Sequence, residues 1–87
     1  MTTTTLAGLD LAGLTRDDRN YAVAHLSLAA HAMRSAAGWY EPGQRRRFHN
    51  MSTACAHIAH DSCIPDEALA ALDVEQRFAL DHILGAL

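Results

Sequence analysis

Apolar side chains recur every three or four residues along most of the chain, which is the spacing of an amphipathic α-helix. The pattern predicts three main helices, over about residues 15–37, 44–62 and 65–86. Isoleucine, valine and threonine are sparse outside the first five residues, so strand-forming segments are not expected. We therefore predict an all-α fold, a small bundle of three main helices with a short apolar N-terminal arm.

Capping residues define the expected helix boundaries. Thr15 is a good N-cap with acidic residues after it in the first turn, and Gly38 is a typical C-terminal stop. Between them, His25 lies in the middle of the apolar face and is expected to be buried and hydrogen-bonded. Residues 73–76 resemble a capping box. The segment 65–86 is therefore either one helix or two helices separated near residue 73.

The segment ahead of the first helix is polar and then apolar. Residues 1–5 are expected to form a mobile polar tail, and residues 6–87 a single helical domain. Leu6, Leu9 and Leu14 belong to the apolar arm, which we expect to dock as a short helix or an irregular segment. Such an arm usually closes over its own core, and the alternative is exchange with a neighbouring molecule.

The C-terminal segment carries apolar residues on two sides of the helical wheel. One stripe is the candidate oligomer interface: Leu69, Leu72, Leu80, Ile83 and Leu87. Val74 and Phe78 lie elsewhere on the wheel, and a helix that is apolar on two sides is either central in a bundle or at an interface. Many apolar residues are alanine, which buries little area. We therefore expect a thin monomeric core or one completed by a homo-oligomer.

Composition and charge narrow the function classes. The net charge is −3 and all seven lysine or arginine positions are arginine, which argues mildly against a general nucleic-acid binder. An alanine-rich, lysine-free composition suggests a GC-rich source such as an actinobacterium or one of its phages. No apolar run has the length of a membrane span and no signal-peptide pattern is present, so a cytoplasmic location is expected.

The second helix contains a string that resembles a metal motif in one dimension, with Cys55, His57, His60 and Cys63. On a continuous helix, Cys55 and His57 lie about 200° apart, so they do not converge on one ion. The two cysteines are about 12 Å apart along the helix axis, too far for a disulfide. What remains is His57 with His60, as a weak surface site for a metal ion or for sensing pH. No cofactor is predicted.

No enzymatic motif is present in the sequence. It lacks a glycine-rich phosphate loop, a nucleophile elbow and a zinc-protease pattern. Cys55 shares the apolar face of the second helix with Met51 and Ile58, so it is expected to be a core residue rather than a nucleophile. We therefore do not expect an enzyme.

Aromatic and basic side chains are concentrated where the first two helices meet. The candidate partner-binding residues are Trp39, Tyr40, Arg45, Arg46 and His49, with Arg34 beside them. Tryptophan, tyrosine and arginine dominate the hot spots of protein interfaces. There are two alternative interpretations. In one, Trp39 and Tyr40 plug the end of the helix pair, and in the other the arginines simply lie in solvent at the start of the second helix.

We therefore expect a non-enzymatic accessory protein, an adaptor or inhibitor that binds another protein, with a homodimer as a compatible prediction. The alternative is a small DNA-binding regulator that uses Arg45–Arg47. The wheel spreads these three arginines over about 200°, and the second helix offers few other base-reading side chains. Clustering of all three arginines on one exposed face would favour DNA.

Overall fold

Two long antiparallel helices carry the other elements. The computed structural model describes residues 8–87, in the order β1 (Gly8–Asp10), α1 (Arg16–Ala37), α2 (Gln44–His60), β2 (Cys63–Pro65), α3 (Asp66–Ala70) and α4 (Val74–Gly85). The described part measures 42 × 26 × 19 Å. The predicted all-α class is confirmed, since helices dominate and the only sheet within residues 8–87 is a pair of three-residue strands.

α1 begins with a complete capping box. The Thr15 hydroxyl accepts a hydrogen bond from the Asp18 N–H at 3.1 Å, and the Asp18 carboxylate accepts one from the Thr15 N–H at 3.0 Å. These bonds satisfy backbone donors that a helix start leaves free. The helix ends before Gly38, whose φ of 96° favours glycine. The boundaries predicted for the first helix are confirmed.

α1 buries a narrower face than its apolar pattern suggests. Its buried residues are Ala22, Leu26 and Ala30, spaced four apart. His25 lies beside this stripe and is exposed, with its ring centroid 4.2 Å from that of Tyr21. The expected buried histidine is therefore wrong. Small side chains in the stripe allow close packing and leave the flanks of the helix in solvent.

The C-terminal segment is two helices rather than one. α4 begins after Asp73, whose carboxylate accepts a hydrogen bond from the Gln76 N–H at 2.9 Å. The Gln76 side chain accepts one from the Asp73 N–H at 3.2 Å and donates one to the Arg47 carbonyl oxygen at 2.8 Å. Gln76 is buried, and these bonds satisfy its amide group. The capping-box alternative, with a break near residue 73, is confirmed.

The N-terminal arm contains a strand, and the short helix or irregular segment that we expected is wrong. β1 pairs antiparallel with β2, with Leu9 opposite Ile64. A Cβ atom at Gly8 would clash with the Ile64 carbonyl oxygen, so this close approach requires glycine. The arm therefore closes over the chain's own core. Residues 1–5 and Leu6 lie outside the described part of the chain.

Strand pairing also sets where the neighbouring helices stop and start. Because β2 occupies Cys63–Pro65, α2 ends at His60 rather than at residue 62, and α3 begins at Asp66. Cys63 therefore belongs to a strand and not to the end of the second helix. The single buried side chain of β2 is Ile64, which is too little apolar pattern to indicate a strand.

The fully buried large side chains come from the arm, α1, α2, β2 and α4: Leu11, Leu26, Met51, Ile58, Ile64 and Leu80. The apolar stripe of the C-terminal segment joins this core. Leu72 and Leu80 are buried within the chain itself, with 9% and 0% of their surface exposed, so their side chains mainly fill the core. Leu69 and Ile83 are half-buried against the core, and Leu87 is exposed. The predicted oligomer interface is therefore wrong in its central residues.

Arg19 joins the arm, α1 and the end of α2. Its Nη1 donates to the carbonyl oxygens of Ile58 at 2.8 Å and Asp61 at 2.6 Å, and its Nη2 donates to that of Leu11 at 3.1 Å. The last carbonyls of a helix lack partners inside the helix. A guanidinium supplies several donors in a rigid geometry. Arg19 therefore holds the C-terminus of α2 and the arm against α1.

We expect Arg19→Met to lower the free energy of unfolding by about 2 kcal/mol, because it removes these donors while keeping an apolar stem. Arg16→Met is the matched control. Arg16 is exposed on the same helix, and its loss should cost less than about 0.5 kcal/mol. Urea unfolding measures both. Equal unfolding midpoints would contradict the role of Arg19.

Gly8→Ala should separate the two strands, since the added Cβ meets backbone, whereas the Cβ of Gly13→Ala has no neighbour within 4 Å. The Leu11 N–H donates to the Ser62 carbonyl oxygen at 2.8 Å, just beyond the end of the strand pair opposite Gly8, and so reports whether the whole pair separates. We expect its hydrogen exchange to accelerate about tenfold or more in Gly8→Ala and to change less than about twofold in Gly13→Ala. Unchanged exchange in Gly8→Ala would refute the steric requirement.

Candidate functional site

The turn between α1 and α2 is a hydrogen-bonded structure. The Glu41 N–H donates to the Gly38 carbonyl oxygen, and the Gln44 N–H donates to the Glu41 carbonyl oxygen, each at 3.1 Å. α2 begins after Gly43, whose φ of 88° lies in the left-handed region. The backbone that carries the two aromatic residues of the turn is therefore held in place by the fold.

Trp39 lies between the end of α1 and the start of α2 and is 39% exposed. The guanidinium carbon of Arg34 is 4.6 Å from the Trp39 ring centroid, and Arg34 Nε donates to the Trp39 carbonyl oxygen at 3.2 Å. The ring centroids of Phe48 and His31 lie 6.2 and 5.6 Å away. Trp39 thus partly plugs the end of the helix pair and still presents part of its ring to solvent.

Tyr40 follows Trp39 and is 99% exposed. Its ring packs against no other aromatic ring within residues 8–87, and its hydroxyl makes no hydrogen bond there. Burial of an aromatic side chain is a major source of stabilisation in cores and interfaces. Tyr40 contributes none of it to this fold. The full apolar area of its ring is available to a binding partner.

The three consecutive arginines at the start of α2, Arg45–Arg47, have different environments. Arg45 and Arg46 are exposed and form no ion pair with a described residue. Arg47 donates from Nε to Asp73 Oδ2 at 2.6 Å and from Nη2 to Glu75 Oε1 at 3.0 Å. Two arginines are therefore free for binding, while the third ties the start of α2 to the start of α4.

His49 does not join the aromatic residues of the turn. It lines an open groove of about 400 Å³ between α2 and α3, together with Thr53 and His57. Across this groove, Asn50 Nδ2 donates to the Ala71 carbonyl oxygen at 3.2 Å. Four of the five candidate partner-binding residues thus lie in the interhelix turn or in the first helical turn of α2. The fifth, His49, lies on the groove instead.

The two histidines considered for metal or pH sensing have different surroundings. His57 Nδ1 is 2.6 Å from Asp61 Oδ2, at the end of α2, and His60 is exposed. Within residues 8–87 no group of three or more histidine, cysteine, aspartate or glutamate side chains is placed to hold a metal ion. His57, His60 and Asp61 therefore do not converge on one point as a metal site.

The two cysteines are free thiols in different environments. Cys55 is buried on α2, and burial raises the pKa of its thiol, an effect that a hydrogen bond with Ser27 opposes. Since the thiolate is the nucleophilic form, this shift makes Cys55 less reactive. Cys63 is exposed on β2.

No family model, curated protein or solved structure matches this chain. None of the helices within residues 8–87 is long and apolar enough to cross a membrane. The geometry of the site is therefore the basis for proposing a function.

Two further aromatic rings, those of Phe48 and His31, lie beside Trp39 and are not indicated by the sequence pattern of the turn. Phe48 lies near the start of α2, and its ring centroid is 4.9 Å from that of His31 on α1. The antiparallel hairpin brings residues at equal distances from the turn opposite one another. That symmetry places Phe48 near residues 33 and 34, and it was the signal available in the sequence.

The hydrogen bond from Arg47 is the main reason that the pKa of the Asp73 carboxyl lies below its usual range. A lowered pKa in the folded state stabilises the fold while the carboxyl is ionised, and this stabilisation is lost as the pH falls through that pKa. The stability difference between the wild type and Arg47→Gln should thus be complete above about pH 5 and shrink below about pH 4.

Urea unfolding of both proteins across this pH range measures the effect. Asp73→Asn is the control, since asparagine keeps the N-cap without the charge. In that background the Arg47→Gln difference should lose most of its pH dependence. A difference in the wild-type background that stays constant at acidic pH would contradict the pairing.

Proposed function

We propose that this protein is a non-enzymatic adaptor or inhibitor that binds another protein through a corner formed by Trp39, Tyr40, Arg45 and Arg46. The observation that carries the proposal is the exposure of Tyr40, 99% on a hydrogen-bonded turn. A ring that is left entirely in water gains the most from burial in a partner's pocket.

The surroundings of Tyr40 support its use as an anchor. Trp39 supplies a second aromatic surface, and Arg34 holds it by a cation–π contact and a hydrogen bond to its backbone. Because the turn is already ordered, little conformational entropy would be lost when a partner binds. Aromatic anchors, together with arginine, supply much of the binding energy of protein interfaces.

Arg45 and Arg46 give the corner a preference for negatively charged groups on the partner. Neither has a carboxylate partner among the described residues, and Arg47 already has two. A guanidinium pairs with a carboxylate through two parallel hydrogen bonds, which adds orientation to the attraction. The partner surface that fits this corner has an apolar pocket beside acidic side chains.

A DNA-binding regulator that uses Arg45–Arg47 is the second proposal, and it has less support. The engagement of Arg47 leaves two arginines for phosphate contacts, and the net charge of −3 opposes binding to a polyanion. Retention of duplex DNA that weakens with salt and disappears in Arg46→Glu would favour it. A metal or pH-sensing role for His57 and His60 has weaker support still, because His57 is engaged by Asp61.

The proposed setting is the cytoplasm of an actinobacterium or a cell infected by one of its phages. Two free thiols in the chain are in keeping with a reducing compartment. The lysine-free, alanine-rich composition is in keeping with a GC-rich source.

The double variant Tyr40→Ala, Arg46→Glu should lose the partner that the wild type captures from a lysate of the source organism. Loss of a tyrosine anchor and reversal of one charge should weaken binding roughly 30-fold or more. Tyr21→Ala, Arg16→Glu is the matched control, because it changes the same residue types, both exposed, near the opposite end of α1. Quantitative mass spectrometry of the captured proteins measures the result.

Both double variants should keep the wild-type circular dichroism spectrum, since neither changes a buried residue. Capture of the same proteins by the wild type and the Tyr40→Ala, Arg46→Glu variant would show that the corner is not the binding surface.

A further inference from the structure

α4 turns a second apolar face toward solvent, opposite the face that enters the core. Val74 is 88% exposed and Phe78 is 71% exposed, and they lie one helical turn apart. The core side of the same helix carries Gln76 and Leu80. Two large apolar side chains in water on one short helix form a contiguous patch, unlike scattered surface residues that need no explanation.

The patch continues onto α3. An open groove of about 410 Å³ lies beside Val74 and is lined by Leu69 and Leu72 as well as by Phe78. The Phe78 ring is parallel to that of His82, with centroids 6.1 Å apart, and packs against no other aromatic ring among the described residues.

The charges on this face are balanced. Arg77 Nε donates to Asp81 Oδ1 at 3.0 Å, so one positive and one negative side chain flank the apolar patch. At about 100° per residue, Val74, Arg77, Phe78 and Asp81 lie within an arc of about 100°. A two-fold interface sets a surface against itself, and a patch with a net charge would repel its own copy. Arg77 and Asp81 offset each other, and Asp73, the other charged residue that lines the groove, is paired with Arg47 at 2.6 Å.

The positions of Arg77 and Asp81 along α4 also allow them to pair with a second copy of the chain. Arg77 and Asp81 lie at equal distances on either side of Ala79. When two α4 helices pack antiparallel about an axis at Ala79, each Arg77 faces Asp81 of the other copy, and the two Phe78 rings meet beside the axis. In the same register Val74 lies opposite Leu84 of the other copy, which is half-buried against its own core.

We infer that the chain forms a two-fold homodimer through antiparallel α4 helices, with Phe78 at the centre and reciprocal Arg77–Asp81 pairs beside it. This interface uses the outer face of α4 and not the stripe of Leu72 and Leu80 that fills the core. It does not depend on the corner, because the two surfaces share no residue. Because the apolar centre of the interface consists of Val74 and Phe78 from each copy, we expect a weak dimer, with a dissociation constant in the micromolar range or weaker.

Sedimentation equilibrium of the full chain from about 1 µM to about 1 mM tests the dimer. The average mass should rise from that of one chain to that of two. Phe78→Glu should raise the dissociation constant roughly 30-fold or more, because it places two like charges at the axis. Leu28→Glu makes the same kind of change at an exposed apolar residue on α1 and should leave it unchanged.

A charge exchange tests the antiparallel register. Arg77→Glu alone and Asp81→Arg alone should each weaken the dimer, because each sets like charges against one another across the axis. The double variant Arg77→Glu, Asp81→Arg restores the pairing and should recover most of the wild-type affinity. A wild-type chain that stays monomeric at the highest concentration, association unaffected by Phe78→Glu, or a double variant no better than the single ones would overturn the inference.

Discussion

The C-terminus of α2 and the N-terminal arm both depend on the hydrogen-bond donors of Arg19. Its guanidinium donates to the carbonyl groups of Ile58 and Asp61, where the helix end lacks backbone donors, and to that of Leu11, which also accepts from the Leu14 N–H. With these groups satisfied, α2 can end against α1 and the chain can turn directly into β2. The arm then adds β1 beside it, and Ile64 and Leu11 fill the centre of the core. In a chain of 87 residues, a core that is thin in large side chains makes such a clamp more important.

Arg47 plays the corresponding part at the other end of α2. It binds two carboxylates at the start of α4, and the buried Gln76 amide bonds to its carbonyl oxygen. Positive side chains at a helix start oppose the helix dipole, and these carboxylates offset that cost for Arg47. Arg45 and Arg46 have no such compensation in the described residues. Their exposure at the start of α2 is therefore easier to explain by binding than by stability.

The two surfaces proposed for binding lie on different elements, so both can be occupied at the same time. The corner projects from the turn between the long helices, and the dimer surface lies on the outer face of α4. A homodimer would carry two corners. A partner with two matching sites would then be held more tightly than by a single corner, because the second contact forms at a high effective concentration.

Interactions between near neighbours in the chain were open to prediction from the sequence. The caps at Thr15 and Asp73 and the inward face of α2 follow from spacing over a few residues. Three outcomes needed the tertiary structure: the pairing of β1 with β2, the burial of Leu72 and Leu80 in the chain's own core, and the loss of Arg47 from the free arginines. Capping and periodicity depend on residues adjacent in sequence. Strand pairs, ion pairs and the choice between core and interface depend on groups that meet only when the whole chain packs together.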